Sequence, residues 1–417
     1  MSDIENRREK LFAQMKENSA AVVFAGAPKI ATEDEFYPFI ANRHFFYLSN
    51  IEQENSILLF VKGISEKKIY LFIDEYNELK EKWTGRRLTQ EEARKKSRLQ
   101  NIYLTDNFES MLSLTLSPKN NQYGQIDTLY VDLSPELKIK ESFSTQEFEK
   151  FIHNEYPHIK TLNLYPIITE LRMVKSSDEI GELLSAINAT NNGISQLISV
   201  IKPGLLEKKI GDAFEFFGRQ HDYRQLSFPT IVASGKNATC LHYPTQNDVT
   251  KEGDLILFDL GYKNNGYCAD ISRTFPVNGV FSGLQREVYQ AVLNCNKAVI
   301  EHIRAGMTIK DLQEFTRNYL KKECVRLKLL TEDEDVVKYY FHNISHHLGL
   351  DTHDCSNREL PLQNGNVITV EPGLYLADKG FGVRIEDDVL ICNGRGECLS
   401  KGIVKEIKDI ERLFKSR

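Results

Sequence analysis

The 417-residue sequence predicts a two-domain α/β (α+β) protein. A mixed α/β domain over residues 1–167 precedes a pseudo-two-fold domain over residues 168–417, built of antiparallel strands flanked by helices. Three observations predict this. The length exceeds what one ordinary core accommodates. Residues 253–261 (G-D-L-I-L-F-D-L-G) and 365–373 (G-N-V-I-T-V-E-P-G) read as copies of one another. A helix–helix pattern stands before each copy, as an internal duplication requires.

In chain order, residues 20–24, 56–61, 68–73 and 128–133 are short β-branched or aromatic runs and read as strands. Residues 78–100 are a dense charge run, read as a solvated helical face. Trp83, the only tryptophan, lies inside it and packs either on its own domain or against a partner subunit. After a boundary near residues 167–175, Ser176-Ser177-Asp178-Glu179 offers a capping box. Ile180, Leu183, Leu184, Ile187, Ile194, Leu197, Ile198 and Ile201 then form a helical stripe that Pro203-Gly204 stops. A second helix follows over 206–220. The same pair recurs over 284–303, ended by Ala305-Gly306, and over 308–328.

The first copy opens a hairpin, with residues 254–262 and 267–275 flanking Lys263-Asn264-Asn265-Gly266. If Asn264-Asn265 is the two-residue loop, Asp259 faces Asp270. If Asn265-Gly266 is the loop, the two acids are diagonal neighbours. Either even-length loop leaves both on one face.

That placement carries the chemistry. Aligned glycine on glycine, Asp259 falls on Glu371, each straight after an apolar run that reads as a core strand. A second acid follows each copy: Asp270 in C-A-D-I-S-R-T-F and Glu386 in V-R-I-E-D-D-V-L. Unpaired buried charges are costly, and like charges across a sheet repel. Four acids aimed at one interior point therefore imply a counter-charge, for which a metal ion is the usual choice. The bland alternative, solvent-facing acids on an edge strand, fits poorly with Leu255, Ile256, Leu257 and Phe258.

Four of the ten histidines fall within residues 342–353, and His242 and His353 stand at similar distances before the two glycine-marked copies. A lone histidine on an apolar face is more often packing than a ligand; this cluster beside four acids points to chemistry. His342 and His346 are spaced i,i+4, but Asn343 stands where an H-E-x-x-H hydrolase needs glutamate, and Gly349 soon ends any helix. Oxygen-rich ligation with one imidazole suits Mn²⁺, Co²⁺, Fe²⁺ or Zn²⁺.

The rest excludes other classes. A net charge of −6 gives no basic footprint for nucleic acid. No run of apolar residues is long enough to span a membrane, and the N-terminus lacks a signal peptide's apolar region. Seven cysteines, all after residue 239 and none in a C-x-x-C pair, suit free thiols in a reducing cytoplasm. Phosphate-loop, dinucleotide and serine-hydrolase motifs are missing.

Asp259 eleven residues before Asp270, S-H-H-L-G-L-D-T-H-D, V-E-P-G-L-Y and V-R-I-E-D-D together resemble the pita-bread dinuclear metallopeptidases. Within these the sequence is most similar to the Xaa-Pro aminopeptidases (aminopeptidase P), with prolidase next. Weaker likenesses at R-R-E-K-L-F, A-N-R-H-F-F-Y-L-S-N and E-K-W-T-G-R-R extend to the aminopeptidase P N-terminal domain. The resemblance implies two divalent ions, manganese foremost, held by Asp259, Asp270, His346, Glu371 and Glu386. Asp270 and Glu386 would be shared, Asp259 would serve one ion, and His346 with Glu371 the other. It selects His346 over His347 by the spacing to His353. It gives His242, His342, His353 and Arg384 supporting roles and makes Glu371 a candidate general base. It implies hydrolysis of N-terminal Xaa-Pro bonds in peptides by a water shared between the ions, in a homodimer or larger oligomer whose N-terminal domain restricts access. Prolidase action on dipeptides and a non-catalytic binding protein of the same fold are the alternatives. His44 and Asn50 depart from the family, which often has an acid or amide at the first position and glycine at the second.

Overall fold

A computed structural model describes residues 2–119, 123–133, 138–140, 143–221 and 225–416. It divides into two compact units, Met1–Arg172 and Met173–Arg417. The division falls at the end of the helix Tyr165–Met173, through whose first turns the boundary expected at residue 167 would cut.

The first unit is built on a six-stranded sheet. Its order is Asn101–Leu104, Lys67–Ile73, Ile57–Lys62, Ser19–Phe24, Thr128–Val131 and Lys160–Asn163. The central three strands are antiparallel and the outer pairings parallel. The charge run is two helices, Glu78–Thr84 and Gln90–Ser97, separated at Gly85, whose φ of +87° ends the first. Trp83 is 77% exposed, so packing within its own unit is not its role. His44, by contrast, is buried, its Nδ1 3.0 Å from Asp132 Oδ2 and its ring against Tyr165. Asn50 ends its helix in the left-handed region at φ 55°, which accounts for a position that tolerates glycine or asparagine.

The second unit follows the duplicated plan. Helix Ser177–Val200 starts at Ser176, whose hydroxyl accepts from the Glu179 N–H while Glu179 reaches back. Glu207–Gln220 packs beside it, and Gly283–His302 with Ile309–Arg326 forms the second pair. The helices and the inward strand faces share one hydrophobic core.

The hairpin between Leu255–Leu260 and Ile271–Pro276 takes the second of the two expected registers. Asp259 pairs with Ser272, and the ladder continues through Lys263 with Cys268 to an Asn265-Gly266 turn. Both turn residues have positive φ, 45° and 86°, as a type I′ turn needs. Asp270 is thus diagonal to Asp259 on the same face. Gly261 is required where the strands pinch, because a Cβ there would meet the Ala269 carbonyl oxygen at 1.9 Å.

The second hairpin keeps one register from Val370 opposite Asp387 to Gly373 opposite Arg384. Continued through the gap, that register sets Glu371 opposite Glu386. Matching the hairpins makes Asp259 equivalent to Glu371, Ser272 to Glu386, and Asp270 to Arg384. Each hairpin also has a third strand that the sequence pattern did not reveal. In the first half it is Ile231–Ser234, paired to residues 256–259. In the second the equivalent edge shrinks to a single bridge, His347 to Ile368, with main-chain bonds from Thr369 to His346 and from Glu371 to Ile344, while a regular strand, Arg395–Cys398, pairs on the opposite side with Asp387–Cys392.

Candidate metal centre

The reduced third strand places the histidine. Residues 344–348 run extended beside residues 367–371, so the spacing of His342 and His346 is not helical. His346 projects toward the acids, its Nε2 3.3 Å from Asp270 Oδ2 and 3.6 Å from Glu371 Oε1. Its Nδ1 lies 3.0 Å from the His347 carbonyl oxygen, so Nδ1 carries the proton and Nε2 is the free donor atom. His347 turns away: it is buried and contacts none of the acids that line the cleft.

Asp259, Asp270, His346, Glu371 and Glu386 all line one cavity of about 200 Å³, together with His242, His342, His353, Arg358 and Arg384. Ligand atoms of Asp270, His346 and Glu386 lie within 4.8 Å of one another. Asp259, Asp270, His242 and His353 also line an adjoining cavity of about 620 Å³, walled by Phe228, Pro229, Ile231, Tyr243 and Pro244. Every residue singled out from sequence for this centre is therefore in one place.

The electrostatics are those of crowded acids. Burial, reinforced by the charge of Asp259, pushes Asp270 up to about 6. Burial pushes Glu371 up to about 7, with Asp270 adding to the effect and His346 opposing it. Glu386 is raised well above the usual carboxylate range by burial and then by Asp270 and Glu371. Burial alone would lower His346, but its bond to Asp270 and the charges of Asp270 and Glu371 lift it to about 9. The proton thus takes the place a cation would fill. Asp259 Oδ1 is buried with no hydrogen-bond partner among the described residues. Carboxylates forced upward, an imidazole nitrogen aimed among them and an orphaned oxygen together fit a divalent ion with mainly oxygen ligands.

Around this centre runs a hydrogen-bonded chain that the sequence did not disclose. Arg384 donates from Nη2 to Asp259 Oδ2 at 2.6 Å, from Nη1 to the Tyr375 hydroxyl at 3.2 Å and from Nε to Ser272 Oγ at 2.7 Å. The Tyr375 hydroxyl donates to His342 Nε2 at 2.8 Å. Burial, with Arg384 adding, holds His342 down to about 4, so it is a neutral acceptor. Behind the acids, Arg273 is fully buried. It donates to the carbonyls of Glu386, Ser272, Ile403 and Val404 and to Asp387 Oδ1 at 2.8 Å, stitching the hairpins together.

With this geometry in view, comparison with known proteins is decisive. Residues 182–393 match the sequence profile of metallopeptidase family M24, and residues 4–123 that of the aminopeptidase P N-terminal domain. The chain belongs to metallopeptidase family M24. This M24 chain is 33% identical to a Xaa-Pro aminopeptidase of Haemophilus influenzae, covering 99% of this chain and 97% of the relative. It is 30% identical to the Escherichia coli Xaa-Pro aminopeptidase over the same shares. Zinc-substituted Escherichia coli aminopeptidase P in complex with product superposes with a TM-score of 0.89 at 29% identity, covering 100% of the M24 chain and 99% of the other. The pita-bread architecture expected from the sequence is thereby shown.

Proposed function

We propose that this M24-family chain is a Xaa-Pro aminopeptidase, a metal-dependent hydrolase that removes the first residue of a peptide whose second residue is proline. The observation that carries this reading is the convergence of Asp259, Asp270, His346, Glu371 and Glu386 in a chain that aligns end to end with such enzymes. Two divalent ions, manganese foremost, would be held there. Asp270 and Glu386 would be shared between them, with Asp259 on one side and His346 with Glu371 on the other. Bound divalent ions supply Lewis acidity and a water that is acidic enough to ionise near neutral pH.

The chain's own residues do the rest. Glu371, at the edge of the acid cluster and lining the cleft, would accept a proton from the attacking water and return it to the departing nitrogen. His353 lines both cavities from an exposed position and donates toward the carbonyl oxygen as that oxygen gains charge. His242 lines the same two cavities and acts alongside it. Arg384 fixes Asp259 and, through Tyr375, orients His342. Proline at the second position leaves a scissile nitrogen without an N–H, so the site selects by shape and offers that nitrogen nothing to accept.

The protein would work in a reducing cytoplasm, in keeping with seven cysteines of which none stands in a C-x-x-C pair. Among the described residues no helix is long and apolar enough to cross a membrane. A homodimer or larger assembly is the proposed state, since Tyr76, Leu79 and Trp83 stand out from the first unit at 65%, 68% and 77% exposure. Sedimentation at micromolar concentration tests the assembly, and a monomer refutes it. The decisive assay compares Xaa-Pro-Yaa peptides with Xaa-Pro dipeptides after manganese reconstitution. Cleavage of tripeptides supports the aminopeptidase reading, cleavage of dipeptides alone makes the protein a prolidase, and no cleavage by metal-loaded protein makes it a binding protein.

A further inference from the structure

Resting on the metal-site reading above, we propose that Ser272 is a positioning residue that keeps the Arg384 guanidinium away from Glu386 and so leaves that carboxylate free for a cation. The hydroxyl stands between the two. It accepts from Arg384 Nε at 2.7 Å and donates to Glu386 Oε2 at 2.7 Å. The guanidinium can only donate, so the hydroxyl accepts from Arg384 and its own single proton is directed to Glu386.

The main chain holds the hydroxyl in place. Ser272 pairs with Asp259 in the strand ladder, and its carbonyl accepts from the Glu386 N–H at 3.0 Å. The same carbonyl accepts from Arg273 at 2.9 Å. Ser272 and Arg384 are both buried, so no bulk water reaches this junction to replace the hydroxyl. In the matched hairpins Ser272 stands where the second half has Glu386. A carboxylate in the first half would meet its counterpart across the seam; a serine gives a neutral contact instead.

The consequence concerns competition. Arg384 is committed on its other two nitrogens to Asp259 and Tyr375. Without an acceptor for Nε, a buried N–H and a buried carboxylate oxygen face each other across the space the hydroxyl leaves. A guanidinium paired directly with Glu386 is a charge-assisted bond that a divalent ion must displace. With Ser272 present, Glu386 is oriented by a neutral donor, and a cation has no guanidinium to displace from it.

Metal affinity tests this without reference to turnover. The full chain, stripped with chelator, is titrated with Mn²⁺ against a competing indicator. Loss of a group that orients a ligand typically weakens binding about 10–100-fold. Ser272→Ala should fall in that range, while Ser272→Thr, which keeps the hydroxyl, should stay near the parent. If the alanine variant does not fold, Ser272→Cys has nearly the same volume with much weaker hydrogen bonding and takes its place. The arginine is tested by the pair: in an Arg384→Gln background the serine substitution should lose most of its effect, beyond the roughly 2-fold scatter of independent sites. An alanine variant with parental affinity, or effects that simply multiply in the double variant, overturns the proposal. A parent protein that binds no Mn²⁺ refutes instead the reading of the site on which it rests.

Discussion

The two hairpins of the catalytic unit are the same construction used for different ends. Each places an acid directly after an apolar run, Asp259 in one and Glu371 in the other, two residues before a glycine. They then diverge at equivalent positions. Where the first has Asp270 the second has Arg384, and where the first has Ser272 the second has Glu386. The strand beside Leu255–Leu260 in the first half is a regular pairing, whereas its counterpart beside Val367–Val370 shrinks to one bridge and supplies His346. Duplication made the frame, and the chemistry lies in the departures from symmetry.

The comparison breaks most visibly at Asp270, the acid whose counterpart is an arginine. Asp270→Asn should release most of the bound metal and abolish peptide cleavage, as read by elemental analysis of reconstituted protein. Metal content unchanged by the substitution would show that the first hairpin supplies no shared ligand. The second hairpin is tested by its neighbouring histidines. His346→Ala should lose metal and activity together. His347→Ala should keep its metal but unfold more easily, by about 2 kcal/mol, because it empties a buried space outside the cleft. The opposite pattern would move ligation to His347.

Arg273 tests what joins the hairpins. Its removal leaves buried Asp387 with Lys405, at 2.5 Å, as its remaining cation beside the Ser400 hydroxyl, and takes a donor from four carbonyls, so Arg273→Ala should lose about 3–5 kcal/mol in denaturant unfolding. Asp387 lies well below the usual carboxylate range, because Arg273 and Lys405 outweigh the upward push of burial. A depressed folded-state value gives stability that is complete above pH ~4 and lost as the solution is acidified below it. Removing Arg273 should flatten that acid dependence, and an unchanged profile would leave the pair without energetic weight.

Smaller effects sharpen the picture. His353→Ala should lower kcat about 10²–10³-fold with metal content unchanged; loss of metal would make His353 a ligand. Asn265→Ala puts a Cβ-bearing residue without a compensating amide into the left-handed region and should destabilise by about 1 kcal/mol. The same change at Asp378, in the four-residue loop of the second hairpin, where φ is not positive, should do much less.

Much of this was legible in the sequence because it is local. Apolar stripes, the Ser176 capping box and the glycine-marked copies fixed the helices and the two acid-bearing strands. Parity alone put Asp259 and Asp270 on one face, though only the left-handed preference of Asn265 and Gly266 chose between registers. What stayed hidden depends on partners far along the chain. Ser272 is unremarkable until Glu386 arrives beside it, and Tyr375 until His342 and Arg384 do. The strands Asn101–Leu104 and Lys160–Asn163 are short and partly polar, and they are recognisable only by the neighbours they pair with in parallel. Trp83 could not be placed from its polar surroundings, and its exposure decided against internal packing.

The Arg273 clamp bears on how the ion is acquired. Its bonds run to main-chain carbonyls on both sides of the seam, so the hairpins stay docked whether or not a cation sits between the acids. Loading then requires no segment to fold around the ion, and unloading leaves no segment to collapse. Ions would exchange at such a centre on the timescale of their own dissociation rather than that of unfolding. Since carboxylates with one imidazole accept several divalent ions, occupancy follows whichever is abundant when exchange occurs. The working metal would in that sense be chosen by the surroundings as much as by the protein.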